Sequence, residues 1–152
     1  MHIKTLQHDE FTENLATIQR LLKVLYINNF KISEELCNNI ITTKVIELEG
    51  YVKSGKGILI GAFINELLVG FIWIYKHDFF GETRLHINQI VVEEDFRGRG
   101  IAKELLTEAE RLAFELDIHI LDLFVSEENY VALKMYEDLG YITERKYLKK
   151  KL

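Results

Sequence analysis

The chain is predicted to fold as one mixed α/β domain of α+β type, a mostly antiparallel sheet with helices on both faces. Three observations carry that expectation. The apolar period changes at Gly57, from helical spacing before it to strand-like spacing after it. Residues 57–63 and 67–75 flank a tight Asn65-Glu66 turn, which makes a hairpin and therefore antiparallel pairing. Residues 87–125 read strand–helix–strand, and such a crossover sets its two strands side by side and parallel. A doubly wound dinucleotide fold needs repeated crossovers, which this chain lacks.

In order along the chain, residues 3–8 alternate weakly and are expected as an edge strand. Residues 12–28 form a helix with Leu15, Ile18, Leu22, Leu25 and Tyr26 on one side, stopped by Asn28-Asn29. Ser33 caps a second helix that runs towards Leu48 or Val52 and buries Leu36, Ile40, Ile41, Val45 and Leu48. After the hairpin, residues 76–82 are expected as a polar loop and residues 84–92 as a third strand. Residues 101–116 place Ile101, Leu105, Leu106, Ala109, Leu112, Ala113 and Leu116 on one helix face. Residues 118–125 give another strand, and a short helix from Ser126 ends at Gly140, a well-placed C-cap. Residues 141–152 read as a last, charged strand. Residues 1–152 form a single domain without repeat, linker or proline.

A chain of 152 residues that is 48% hydrophobic buries a core of useful size. Its net charge of −5 gives no electrostatic footprint for a nucleic acid. Cys37 is the sole cysteine, which rules out an intrachain disulfide and fits a reducing compartment. His2, His8, His77, His86 and His119 show none of the usual ligand spacings, so no metal is expected. No apolar run approaches a membrane span, and no signal-peptide core opens the chain. The expectation is a soluble cytoplasmic domain.

The chemistry gathers at residues 89–102. A short apolar strand (Ile90, Val91, Val92) meets an acidic turn, then Arg97-Gly98-Arg99-Gly100, then the helix that starts at Ile101. The first N–H groups of a helix have no intrahelical partner, and its dipole places partial positive charge there, so an anion is held well. Taken alone, this glycine pair is an ordinary strand-to-helix turn. It is neither a P-loop, which ends in Gly-Lys-Ser/Thr, nor a dinucleotide fingerprint, because Lys103 stands where a third small residue belongs. A second constellation lies on the last helix, where Asn129, Ala132 and Tyr136 share one face before Gly140-Tyr141. On its own, Tyr136 reads as a core aromatic and Asn129 as a helix N-cap.

Together, Arg97-x-x-Gly100-x-Ala102 and Asn129-x-x-Ala132-x-x-x-Tyr136-x-x-x-Gly140-Tyr141 resemble the GNAT superfamily of acyl-CoA-dependent N-acyltransferases, as does the order of elements. The resemblance implies a sheet splayed between its parallel strands and a direct, ternary-complex transfer of acetyl from acetyl-CoA to an amine. Gly98, Arg99, Gly100, Ile101, Ala102 and Lys103 would hold the pyrophosphate, with Arg97 and Arg99 screening it. Pantetheine would pair with main chain at Ile90, Val91 and Val92. Asn129 would hydrogen-bond that arm, Ala132 would let it pass, and Tyr136 would protonate the departing thiolate. Cys37 is remote from both motifs, so no acyl-cysteine is expected.

One position departs from the family. Many members carry an acidic base just before the cofactor-pairing segment, and here those residues are Asn88 and Gln89. His86, Glu93, His119, or a water held by Asn88 and Gln89, are the alternatives, and His86 shares strand parity with Asn88. The acceptor, an amine-bearing small molecule or peptide, is expected near residues 28–33, the aromatic run Trp73, Tyr75, Phe79 and Phe80, and the last strand. That run also suits hairpin core. A homodimer through the last strand is a further family expectation. A CoA-binding sensor domain without transferase activity is the rival reading.

Overall fold

The elements follow as β1 (His2–Thr5), α1 (His8–Glu13), α2 (Leu15–Phe30), α3 (Glu34–Ser54), β2 (Gly57–Ile64), β3 (Leu67–Phe79), β4 (Glu82–Val92), α4 (Ile101–Glu115), β5 (Leu121–Leu123) and α5 (Tyr130–Asp138). They are seen in a computed structural model that describes all 152 residues. The strands lie in the order β1-β2-β3-β4-β5, antiparallel except for the parallel β4–β5 pair. This is the mixed sheet that the hairpin and the single crossover predict.

The sheet divides the core in two. On one face Phe11, Ile18, Leu22, Val45 and Leu48 of α1–α3 pack on Leu59, Phe71, Trp73 and Val91. On the other, Leu105, Leu106 and Ala109 of α4 and Tyr136 of α5 pack on Ile60, Ile72, Leu85, Ile87 and Val92. Each fully buried Leu, Ile or Phe contributes roughly 1.5–3 kcal/mol. Both faces of the sheet are therefore structural, and the site has to lie at an edge or in a gap between strands.

Several boundaries differ from the sequence reading. The expected helix over 12–28 is broken at Asn14, whose side-chain Nδ2 donates to the Glu10 carbonyl and competes with the helical ladder there. The expected loop at 76–82 is instead a continuation of β3 to Phe79 and a two-residue turn at Phe80-Gly81, both in the left-handed region. β5 shrinks to three residues, and α5 starts after Asn129 rather than at Ser126. No strand forms over 141–152. Ile142, Tyr147, Leu148 and Leu152 are exposed, and Glu144 turns to Arg84 instead of joining a ladder. A three-residue β5 offers too short an edge for a strand rich in like charges to pair with.

Candidate functional site

β4 pairs with β3 along its whole length but with β5 only from Leu85 to Ile87, so the sheet forks beyond Ile87. A β-bulge sits at the fork. Trp73 faces Gln89 while Ile74 faces Ile87, which leaves Asn88 as the extra residue on β4. The bulge reverses strand parity. Leu85 and Ile87 before it, and Ile90 and Val92 after it, all lie towards α4. Gln89 and Val91 lie towards α2 and α3. His86, opposite Tyr75, and Gln89, opposite Trp73, consequently share a face.

The main-chain directions follow from one bond. The Glu93 N–H donates to the Val69 carbonyl at 2.8 Å. In an antiparallel ladder the bonded pairs alternate, so Val91 and Gln89 also direct their groups to β3, while Ile90 and Val92 direct theirs to the open edge. The Val92 carbonyl accepts from Arg97 Nε at 3.0 Å. Both groups of Ile90 and the N–H of Val92 thus face the fork, and Val91, counted with them from sequence, does not.

Past Val92 the chain makes a short 3-10 turn over Glu94–Phe96 and reaches Gly98 at φ +73 and Gly100 at φ +80. Those angles suit glycine, and a side chain at either position would meet nothing within 4 Å. Glycine therefore serves the backbone conformation here, and the space above it is open. From Gly98 to Lys103 no main-chain N–H donates to any protein acceptor, and the first α4 bond belongs to the Glu104 N–H on the Gly100 carbonyl. Six successive amides at a helix start form an anion-binding concavity. Arg99 is steered by the Asp95 carbonyl at 2.9 Å and lies over the Phe96 ring. A groove of about 330 Å³ runs from Lys103 along Val131, Lys134, Met135, Asp138 and Leu139 of α5.

Asn129 Oδ1 accepts the Ala132 N–H at 3.3 Å, so it does cap α5, and only its Nδ2 is left to offer elsewhere. Tyr136 is 7% exposed, within the apolar cluster that holds Val92 and Ile87. Burial pushes its phenol up to about 12, which keeps it a proton donor at neutral pH. Tyr141 packs against it at 5.3 Å between ring centroids. Cys37 is fully buried in the α1–α3 cluster.

The base candidates separate. Glu93 is ion-paired to Arg20, whose guanidinium holds its carboxyl below the usual range. His119 is exposed beside Asp117, after α4. His86 is buried, with Nδ1 at 2.7 Å from Asp122 Oδ1. Gln89 gives Nε2 to the Tyr26 hydroxyl at 2.8 Å, while its Oε1 is buried without a partner. Of the expected aromatic pocket, Trp73 is fully buried core, Tyr75 is half-buried and Phe80 stands exposed at the hairpin tip. A cluster that sequence spacing missed is His77, His86 and Asp122, drawn from three adjacent strands. Only the strand register, not the spacing along the chain, brings them together.

The chain matches the model of the acetyltransferase (GNAT) family over residues 24–141. Over 65 residues it is 37% identical to the catalytic subunit of the N-terminal acetyltransferase B complex of Arabidopsis thaliana, covering 42% of this chain and 37% of that protein. Over 85 residues it is 31% identical to the uncharacterised N-acetyltransferase YycN of Bacillus subtilis, covering 56% of this chain and 54% of the other. The matches therefore span about half or less of these curated relatives. Its fold is shared with the PaiA N-acetyltransferase of Thermoplasma acidophilum solved with coenzyme A, at a TM-score of 0.77 and 22% identity over 95% of this chain and 92% of that one. No helix is long and apolar enough to cross a membrane.

Proposed function

The chain belongs to the GNAT family of acetyltransferases, and on that premise we propose that it moves an acetyl group from acetyl-CoA directly to a primary amine in a ternary complex. The observation that carries this reading is the run of six free amides from Gly98 to Lys103, set beside the open edge of β4. Pyrophosphate takes those amides, where the helix dipole favours negative charge, and Arg97, Arg99 and Lys103 add cations. The groove along α5 gives room to the nucleotide end. Pantetheine lies in the fork and pairs with Ile90 and Val92, and the amides there polarise the thioester carbonyl. Asn129 Nδ2 meets the arm, and Ala132 leaves it clearance.

The amine lone pair forms a C–N bond at the thioester carbon, the C–S bond breaks, and its electron pair leaves on sulfur. Tyr136 gives that sulfur a proton. Gln89 Oε1, a buried acceptor with nothing to accept, takes an N–H hydrogen bond from the attacking amine, and the proton that the nitrogen sheds leaves through water and restores the Tyr136 phenol. Holding both reactants in one complex supplies much of the remaining acceleration. The acceptor is an amine-bearing small molecule or a peptide N-terminus.

A CoA-binding domain without transfer is the second reading, favoured by the amides of Asn88 and Gln89 where a carboxylate base would serve. A panel of amines with acetyl-CoA, followed by free-thiol release, separates the two. Amine-dependent release establishes the transferase. Saturable acetyl-CoA binding with no release across the panel favours the second reading, and no binding removes both.

A further inference from the structure

Three side chains that the transfer scheme does not use converge at the closed end of the fork. His77 comes from β3, His86 from β4 and Asp122 from β5, neighbouring strands of the sheet. Register explains the meeting. His86 lies opposite Asp122 on one side and opposite Tyr75 on the other, and His77 is two residues beyond Tyr75 on the same face. Such diagonal neighbours are within reach of long side chains. His86 Nδ1 stands 2.7 Å from Asp122 Oδ1, and His77 Nε2 stands 3.0 Å from Oδ2 and 3.1 Å from Oδ1. All three donor atoms lie within 4.8 Å of one another. We propose that His77, His86 and Asp122 form a site for one divalent transition-metal ion of the zinc type.

Two imidazoles and a carboxylate are a donor set that zinc takes, with a fourth position left to water. Bonds of about 2.0–2.1 Å in a tetrahedron separate ligand atoms by about 3.3 Å. Both histidine–aspartate distances are within about 0.6 Å of that, and rotation of the half-buried His77 closes the remaining pair. Each imidazole already turns one nitrogen to the carboxylate. On binding, the proton there moves to the other ring nitrogen, and the freed lone pair takes the ion.

The surroundings favour a cation. Arg84 is gripped by Glu144 at 2.7 and 2.9 Å and by Glu82 at 2.8 Å, and stands 3.5 Å from Asp122. Arg145 stacks on Phe79 nearby. Three carboxylates thus outnumber two guanidiniums around the cluster. An ion here would cross-link β3, β4 and β5 where the three-residue β5 is joined to β4, and so fix the width of the fork.

The test uses the tag-free, full-length protein stripped with a chelator. Cobalt(II) is titrated by its visible absorption and zinc(II) by competition with a chromophoric chelator, and thermal midpoints are read with and without zinc. The expected result is one equivalent bound at about micromolar affinity and a midpoint that rises with zinc concentration. Asp122→Asn and His77→Ala should each weaken binding at least about tenfold, while the exposed His119→Ala should not. Asp122→Asn touches the short β4–β5 pair, so His77→Ala, with folding checked by circular dichroism, decides the matter. No saturable binding, or unchanged affinity in folded His77→Ala, overturns the site. Neither result depends on acetyl transfer.

Discussion

Gln89 Nε2 donates to the Tyr26 hydroxyl over 2.8 Å, which ties the open-edged strand to α2 one residue past its bulge. Its other amide atom, Oε1, is left buried and unpaired. One side chain thus anchors the bulged strand to α2 and carries a buried acceptor without a partner.

Removal of the anchor has a calculable cost. Tyr26→Phe strands a buried N–H, which costs about 1–3 kcal/mol, and urea denaturation should show a loss of that size. Gln89→Leu removes both polar groups. It should leave acetyl-CoA affinity within about twofold and raise the acceptor KM by roughly tenfold, or about 1.4 kcal/mol. An unchanged KM would take Gln89 out of acceptor recognition.

Gly100→Glu brings a left-handed strain of roughly 1–2 kcal/mol and a negative charge to the amide run, with no steric clash. The protein should stay folded and lose at least about tenfold, some 1.4 kcal/mol, in acetyl-CoA affinity. Unchanged affinity in a binding titration means that the pyrophosphate lies elsewhere.

Tyr136→Phe should lower kcat by about a hundredfold or more and leave acetyl-CoA affinity nearly unchanged. An undiminished rate would mean that another group protonates the thiolate.

The same tyrosine links stability to alkaline pH. Burial raises its folded value to about 12, above the ordinary tyrosine value near 10. The unfolded chain therefore loses this proton first, so the contribution is complete below about pH 10 and is lost as pH rises through about 12. Thermal midpoints should fall over that window, and less steeply in Tyr136→Phe. Equal slopes would argue against the burial of the phenol.

The exposed tail carries an opposite expectation. Deletion of residues 147–152 removes side chains that are almost wholly exposed and should shift stability by no more than about 0.5 kcal/mol. A large drop in the thermal midpoint would show that the tail is held.

The hairpin, the crossover and the α4 stripe were legible because their periodicity is local and strong. Arg97, Gly98 and Gly100 were legible as a motif, and the structure supplies their angles and the six free amides. The bulge at Asn88 was not, because an extra residue in a strand leaves no mark on composition. It shifts strand parity, so that Gln89 rather than Ile90 shares the face of His86. The charged segment 141–152 reads as a last strand in sequence, and nothing within it reports that β5 is three residues long. His77, His86 and Asp122 meet through register across three strands, which spacing along the chain does not encode.

In the proposed complex the amides from Gly98 to Lys103 receive the pyrophosphate while Ile90 and Val92 pair with the pantetheine arm. Amide nitrogen–proton NMR during titration with coenzyme A tests it residue by residue. Saturable shifts are expected at residues 98–103, Ile90 and Val92, as is their loss in Gly100→Glu. Saturation with those amides unmoved, or no saturation at all, would contradict it.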